Sequence, residues 1–231
     1  MPDFGLDILR NGYSDPTSLQ FLTDDAGTVY LITTQQNGNI AVSIVTSSGE
    51  GVDKTYDETT VFETGIINTI LNHNDDGSAS GTTGRQVTGF HARFDENGDI
   101  ELYVTSSDPR IGGGGEANVD DKNLDTNSGV LSKVTLDIPE AGDWSATKID
   151  LLRGIPRSEE NHSVNGVDFT PDGNLLMMVG GFANAGAPSQ NLVYTPEYFL
   201  SGSMLEVDIE ALEALPTLTD SEGQSYKYNL P

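Results

Sequence analysis

The stretch "VNGVDFTPDGNLLMMVGG", residues 164–181, reads as two short apolar runs joined by a turn. The first run ends at Phe169, the turn contains Asp172-Gly173, and the second run covers Leu175 to Val179. Glycine has no Cβ to clash at positive φ, so "DG" and "NG" pairs permit the sharp reversal of an antiparallel hairpin. The pattern occurs twice more, in "PTSLQFLTDDAGTVYLITT" from Pro16 and "VTGFHARFDENGDIELYVTSS" from Val87. Their first runs end at Phe21 and Phe94, and their second runs are Val29 to Ile32 and Ile100 to Val104. The turn glycines Gly27, Gly98 and Gly173 are 71 and 75 residues apart, a spacing that marks a repeat architecture.

Further β-rich stretches lie between the hairpins: "NIAVSIVTSS", "GVLSKVTLD" and "SATKIDLLRG". Each repeat then holds about four antiparallel strands, the content of one propeller blade. Helical patterning is confined to "IEALEAL", Ile209 to Leu215. The expected fold is all-β: an incomplete β-propeller of about three four-stranded blades, over roughly 12–80, 81–158 and 159–231. Propellers typically need four to eight blades to close. The expectation is therefore part of a longer polypeptide whose remaining blades are required. Assembly of three-blade pieces with each other is the alternative.

Composition agrees with a loop-rich β protein: 26 glycines among 231 residues, and only 35% apolar residues. Acidic residues outnumber basic ones 36 to 11, a formal charge of −25 that repels nucleic acid and anionic membranes. The plainest reading of that surface is solvation without a specific partner. The absence of cysteine excludes disulfides, thiolate catalysis and Cys-based zinc sites. No tract is long enough to insert into a membrane, and "MPDFGLDILRNGYSDP" shows no signal peptide. The acidic charge and lack of cysteine nonetheless point to an extracellular or periplasmic location.

Aligning the repeats on Ser18, Gly89 and Gly166 puts Asp15–Thr17, Arg85–Thr88 and His162–Asn165 at equivalent places. Each segment would lie where the innermost strand of a blade begins, at one mouth of a central channel. Polar groups converging in a concavity make the default binding site.

The segments "TNSGVLSKVTLD" and "WSATKIDLLRGIPRSEENHSVNGVDFTPDGNLLMMVGG" resemble the soluble glucose/sorbosone dehydrogenases, six-bladed propellers that use pyrroloquinoline quinone (PQQ). The order of a "GIP" turn, a histidine, a short polar step and a strand before "PDG" is the family's, and "GRQVTGFHARFDENGDIELYVTSS" looks like its preceding blade. The resemblance implies His162 as catalytic base, taking the proton of a sugar C1 hydroxyl while hydride passes to the quinone. An imidazole, with an ordinary pKa near 6.5, suits that task. It implies Gln86 near quinone and substrate, Asn161 beside the base where the family has Asp, and Arg85 with Arg157 as partners for the three PQQ carboxylates. The implied partner is a small sugar or alcohol. The family's remaining PQQ and calcium residues lie in later blades, so the isolated chain is expected to be inactive. The competing class is a non-catalytic propeller module that binds carbohydrate or protein within a large acidic secreted protein, with His162 structural.

Other features read as structure. His73, in "NHNDDG", is a loop residue beside a turn, and His91, in "GFHARF", belongs on the polar side of a strand or in a bulge. The long loop 106–129 is glycine-rich, but no G-K-[ST] follows. Its Asp121-x-Asn123-x-Asp125 has the opening spacing of an EF-hand, yet Thr126 replaces the needed glycine and Ser132 the bidentate glutamate. A looser calcium site stays open there, with a solvated acidic loop the better reading. Glu159 and Glu160 are adjacent on an extended chain and point apart, so they do not form a glycosidase pair. Gly180 to Asn191 reads as a mouth-side loop.

Overall fold

The turns at Gly27, Gly98 and Gly173 share one geometry. Each glycine has a left-handed φ, between 85° and 91°. Its N–H donates to the carbonyl three residues back, at Asp24, Asp95 and Thr170, over 3.0, 3.2 and 3.0 Å. That is a type I turn closed by a left-handed residue, a standard hairpin connection. Asp24 and Asp95 reinforce it by accepting the N–H groups of Thr28 and Asp99 at 2.7 and 2.9 Å.

The computed structural model describes residues 9–111, 124–139, 141–183, 187 and 197–231. The chain is all-β. Strands β1 (Pro16–Thr23), β2 (Val29–Gln35), β3 (Ile40–Ser48) and β4 (Thr55–Thr64) form a four-stranded antiparallel meander. A second meander comprises β5 (Gln86–Phe94), β6 (Ile100–Ser107), β7 (Gly129–Asp137) and β8 (Ser145–Ile155). The third sheet has β9 (Val164–Phe169), β10 (Leu175–Val179) and β11 (Ser203–Val207). Helix α1 (Ile209–Ala214) follows, its N-terminus capped by Asp208, which accepts from the Ala211 N–H at 2.9 Å. Strands β12 (Leu218–Thr219) and β13 (Ser225–Asn229) end the chain.

The third unit differs from the expected four strands. β12 and β13 leave the third sheet and join the second, where β13 runs parallel to β8 in the register Tyr226↔Asp150 and Tyr228↔Leu152. The reason lies in side chains far apart in sequence. Asp150 is fully buried and grips Arg153 at 2.7 Å, and Arg153 reaches on to Asp220 at 2.7 Å while stacking over the Tyr226 ring. The Leu230 N–H donates to the Arg153 carbonyl at 2.9 Å.

The sheets stack face to face in chain order. Tyr30, Ile32, Ile40 and Val42 of the first pack against Phe90, Leu102, Val104 and Leu136 of the second. On the opposite side, Tyr103, Leu131 and Leu151 meet Leu175, Met177 and Val179 of the third. The middle sheet is therefore covered on both faces, and all eight residues of β6 are buried. The first strands lie side by side: the Gln20 amide donates to the Ala92 carbonyl and accepts its N–H, at 2.7 and 2.8 Å. β5 and β9 come closer still. A Cβ on Gly89 would lie 3.1 Å from the Cα of Gly166, so the two glycines set that spacing. Among the described residues no helix is long and apolar enough to cross a membrane.

Candidate functional site

Backbone and hydroxyl contacts bring the starts of β1, β5 and β9 to one end of the stack. The Gln36 N–H donates to the Asp15 carbonyl at 2.9 Å, and the Val87 N–H donates to the Gln36 carbonyl at 3.1 Å. The Thr88 hydroxyl donates to the Val164 carbonyl at 2.5 Å. Asp15–Thr17, Arg85–Thr88 and His162–Asn165 thus share a rim.

At this rim a threonine clasp recurs. Thr17 meets Thr34 at 3.0 Å, and the equivalent Thr88 meets Thr105 at 3.3 Å. In the third sheet the corresponding pair is Asn165 and Gly180. Removing the side chain at 180 makes room for the histidine: a Cβ there would lie 2.7 Å from both Cα and C of His162. His162 sits in a tight turn in which the Ser158 N–H donates to its carbonyl at 3.1 Å and its own N–H donates to Glu159 O at 3.0 Å. Its ring Nδ1 lies 3.0 Å from the Gly181 carbonyl. A carbonyl only accepts, so Nδ1 carries hydrogen and Nε2 is left as the basic nitrogen. Ser158 Oγ shares the same carbonyl at 2.8 Å and fixes it in place. Glu197 holds the adjoining loop, accepting from Ser201 Oγ at 2.5 Å and the Phe182 N–H at 2.8 Å. These two bonds, Ser201 first, keep its carboxyl below the usual range. The sequence marked Gly180 and Gly181 only as part of a mouth-side loop, and Ser158 was not singled out. The signal was available in the repeat alignment, where Gly180 breaks the Thr34/Thr105 series.

Arg85 is held inside the protein. It is 2% exposed, and its guanidinium is used internally: Nη1 donates to Asn72 Oδ1 at 2.7 Å, Nη2 to the Ser106 and Ser128 carbonyls, and Nε to Ser106 Oγ at 3.4 Å. Burial pulls its pKa down to about 10, against the pull of Asp108, Asp150 and Asp125. With His73, Asp125, Asp220 and Glu222 it lines a polar cleft of about 180 Å³. Asp125 is pushed above its ordinary range by burial. Gln86 is nearly buried at the start of β5, opposite Ser107. Among the described residues, its Oε1, the Ser107 hydroxyl and Arg157 Nε and Nη1 are enclosed with no hydrogen-bond partner. Arg157 donates from Nη2 to the Arg110 carbonyl, and desolvation lowers its pKa, offset in part by Asp108 and Glu160. Asn161 is exposed beside His162.

The fit to PQQ follows from these contacts. Three carboxylates require forked cationic donors that are open to them. Arg85 has given its donors to the protein, and Arg157 keeps two but is sealed from solvent. Among the described residues, Arg85 and Arg157 offer the PQQ carboxylates no open fork. Asp121 and Asn123 of the acidic loop lie outside the described residues, as does most of the segment 184–196. Among the described residues, no group of three or more His, Asp or Glu side chains is placed to hold a metal ion. His73 pairs with Glu222 at 3.1 Å. His91 lies between the second and third sheets, 3.0 Å from Asp168 and edge-on to Phe169, and burial lowers its pKa.

Compared with protein-family models and with curated proteins, the chain matches none.

Proposed function

We propose that this chain is a three-sheet portion of a β-propeller resembling the glucose/sorbosone dehydrogenases, and that His162 is its proton acceptor. The supporting observation is the His162 ring itself: Nδ1–H is held by Gly181 O, so Nε2 is the basic nitrogen, at the end where three first strands converge. The substrate would be a sugar or alcohol hydroxyl, deprotonated at Nε2 as its carbon is oxidised. The hydride acceptor in the resembled family is PQQ. Because Arg85 and Arg157 do not accommodate it, these three sheets alone are inactive, and cofactor binding and any calcium would depend on further sheets. An extracellular or periplasmic setting belongs to the same reading.

The test uses the natural polypeptide that carries this segment, supplied with PQQ and calcium, with dye reduction followed over several aldoses and alcohols. His162→Ala should lower kcat by about 100-fold or more with the fold intact, the usual span for positioned acid–base catalysis. Turnover indifferent to that change would remove His162 from the role. One observation favours a second reading, a non-catalytic module for carbohydrate or protein: Arg85 has given its donors to the protein, and Arg157 is sealed from solvent. Absence of turnover with every aldose and alcohol would select it.

A further inference from the structure

The Gly181 carbonyl that accepts from His162 Nδ1 and the Phe182 N–H that donates to Glu197 belong to one peptide unit. Among the described residues no peptide bond is cis, so these two groups point in opposite directions across a single plane. The imidazole lies 3.0 Å from the oxygen end and the carboxylate 2.8 Å from the nitrogen end. Histidine and glutamate are thus joined in an unbroken line, from Nδ1–H to C=O, through the amide bond, and from N–H to Oε2. The surroundings keep that line in place. A Cβ on Gly181 would lie 3.1 Å from Glu197 Oε1, so glycine lets the carboxylate approach. Ser201 Oγ donates to the same Oε2 at 2.5 Å. The Gly202 N–H donates to the Gly180 carbonyl at 3.0 Å, and the Tyr198 ring packs 4.5 Å from that of buried Phe182. Attraction to the His162 ring is among the lesser causes that hold the Glu197 carboxyl below its usual range, after the bonds from Ser201 and Phe182.

Linked hydrogen bonds polarise one another, by about 10–30% per bond. A carboxylate on the N–H of a peptide pushes electron density onto its carbonyl oxygen, which then holds Nδ1–H more firmly. We propose that Glu197 is a positioning residue for His162, acting through the Gly181–Phe182 peptide as a carboxylate acts directly on the histidine of a Ser-His-Asp triad. This deepens the reading of His162 as proton acceptor, and its effect on turnover rests on that reading. When Nε2 takes the proton of the substrate hydroxyl, Nδ1 keeps its own. The charge of the imidazolium is met across the peptide, and Glu197 stays ionised. Glu197 is exposed, so water screens its charge and limits the effect to a few-fold.

The natural polypeptide that carries this segment, with isotope-labelled histidine rings, tests it by NMR above about pH 8, where imidazole is neutral. The His162 signals are those lost in His162→Gln. Ring-nitrogen shifts give the ratio of the Nδ1–H to the Nε2–H form, expected at about 10 or more, the equivalent of one net hydrogen bond. Glu197→Gln keeps an oxygen for Phe182 and Ser201 but removes the charge. The ratio should fall about threefold, and kcat about threefold with KM unchanged. Glu197→Ala removes charge and acceptor together and should lower both by about tenfold. If circular dichroism shows the Ala variant unfolded, the Gln variant, which retains the acceptor, decides alone. A ratio equal in the natural protein and the Gln variant, or a predominant Nε2–H form in the natural protein, would overturn the proposal. A ratio that responds to Glu197 in a polypeptide without turnover keeps the relay and refutes the enzymatic reading. Turnover that needs His162 while the ratio ignores Glu197 does the reverse.

Discussion

Replacing Arg85 by Met separates a structural arginine from a cofactor ligand. The substitution keeps much of the side-chain length but removes all the guanidinium donors. It strips a donor from Asn72 Oδ1 at 2.7 Å, from the Ser106 carbonyl at 3.2 Å and from the Ser128 carbonyl. Asn72 stays anchored through Nδ2, which donates to the Thr82 and Gly84 carbonyls at 3.0 and 2.8 Å. Three buried acceptors at about 1–2 kcal/mol each suggest a gross loss of about 3–6 kcal/mol. Relief from holding a cation out of water offsets part of that, leaving about 3 kcal/mol. With a urea m-value of about 2 kcal/mol/M, the unfolding midpoint should fall by about 1.5 M. Urea titrations followed by circular dichroism and by Trp144 fluorescence should show the same shift. A midpoint unchanged within about 0.3 M would refute the structural role and return Arg85 to the list of ligand candidates.

Three other outcomes follow from the packing. Gly89→Ala should destabilise by about 1–3 kcal/mol, because its Cβ meets Gly166 backbone rather than a movable side chain. Gly65→Ala, whose Cβ would find only Asn68 Nδ2 at 3.5 Å, is the control, and equal tolerance of the two in urea would contradict the close approach. Asp150→Asn should cost about 3–5 kcal/mol, since it leaves Lys148 and Arg153 charged beside a buried site; a loss under about 1 kcal/mol would disprove the pairing. At low pH, Asp24 and Asp95 matter: desolvation raises their pKa values, but turn hydrogen bonds outweigh it and hold both below 3.8. A depressed folded pKa gives stability that is present above the unfolded value and lost as pH falls through the folded one. Urea midpoints measured in about 0.5 M salt, which screens the relief of self-repulsion, should fall below about pH 4; midpoints that rise instead would oppose the turn assignment.

The parts of the fold legible in the sequence were those fixed by local chemistry. Gly27, Gly98 and Gly173 announce their hairpins because positive φ is nearly a glycine property, and their spacing exposes the repeat. The helix was expected at Ile209 to Leu215 and forms over Ile209–Ala214, with Leu215 already extended. The positions of the rim segments also followed from the alignment. The destination of β13 did not, since it depends on Asp150, Arg153 and Asp220 meeting across about 70 residues of chain. Nor did the role of Arg85. In sequence it stands beside Gln86 at a strand start, where a cation looks available. Only the three-dimensional neighbourhood of Asn72, Ser106 and Ser128 shows that it is spoken for.

The return of β13 to β8 governs the order of assembly. Synthesis delivers the whole third sheet before the strand that widens the second, so the central layer gains β13 only after β9, β10 and β11 have been made. Pairing over so long a separation slows folding. Loss of residues 220–231 would therefore leave the middle layer defective, while the third sheet, nearer in sequence, kept all its strands.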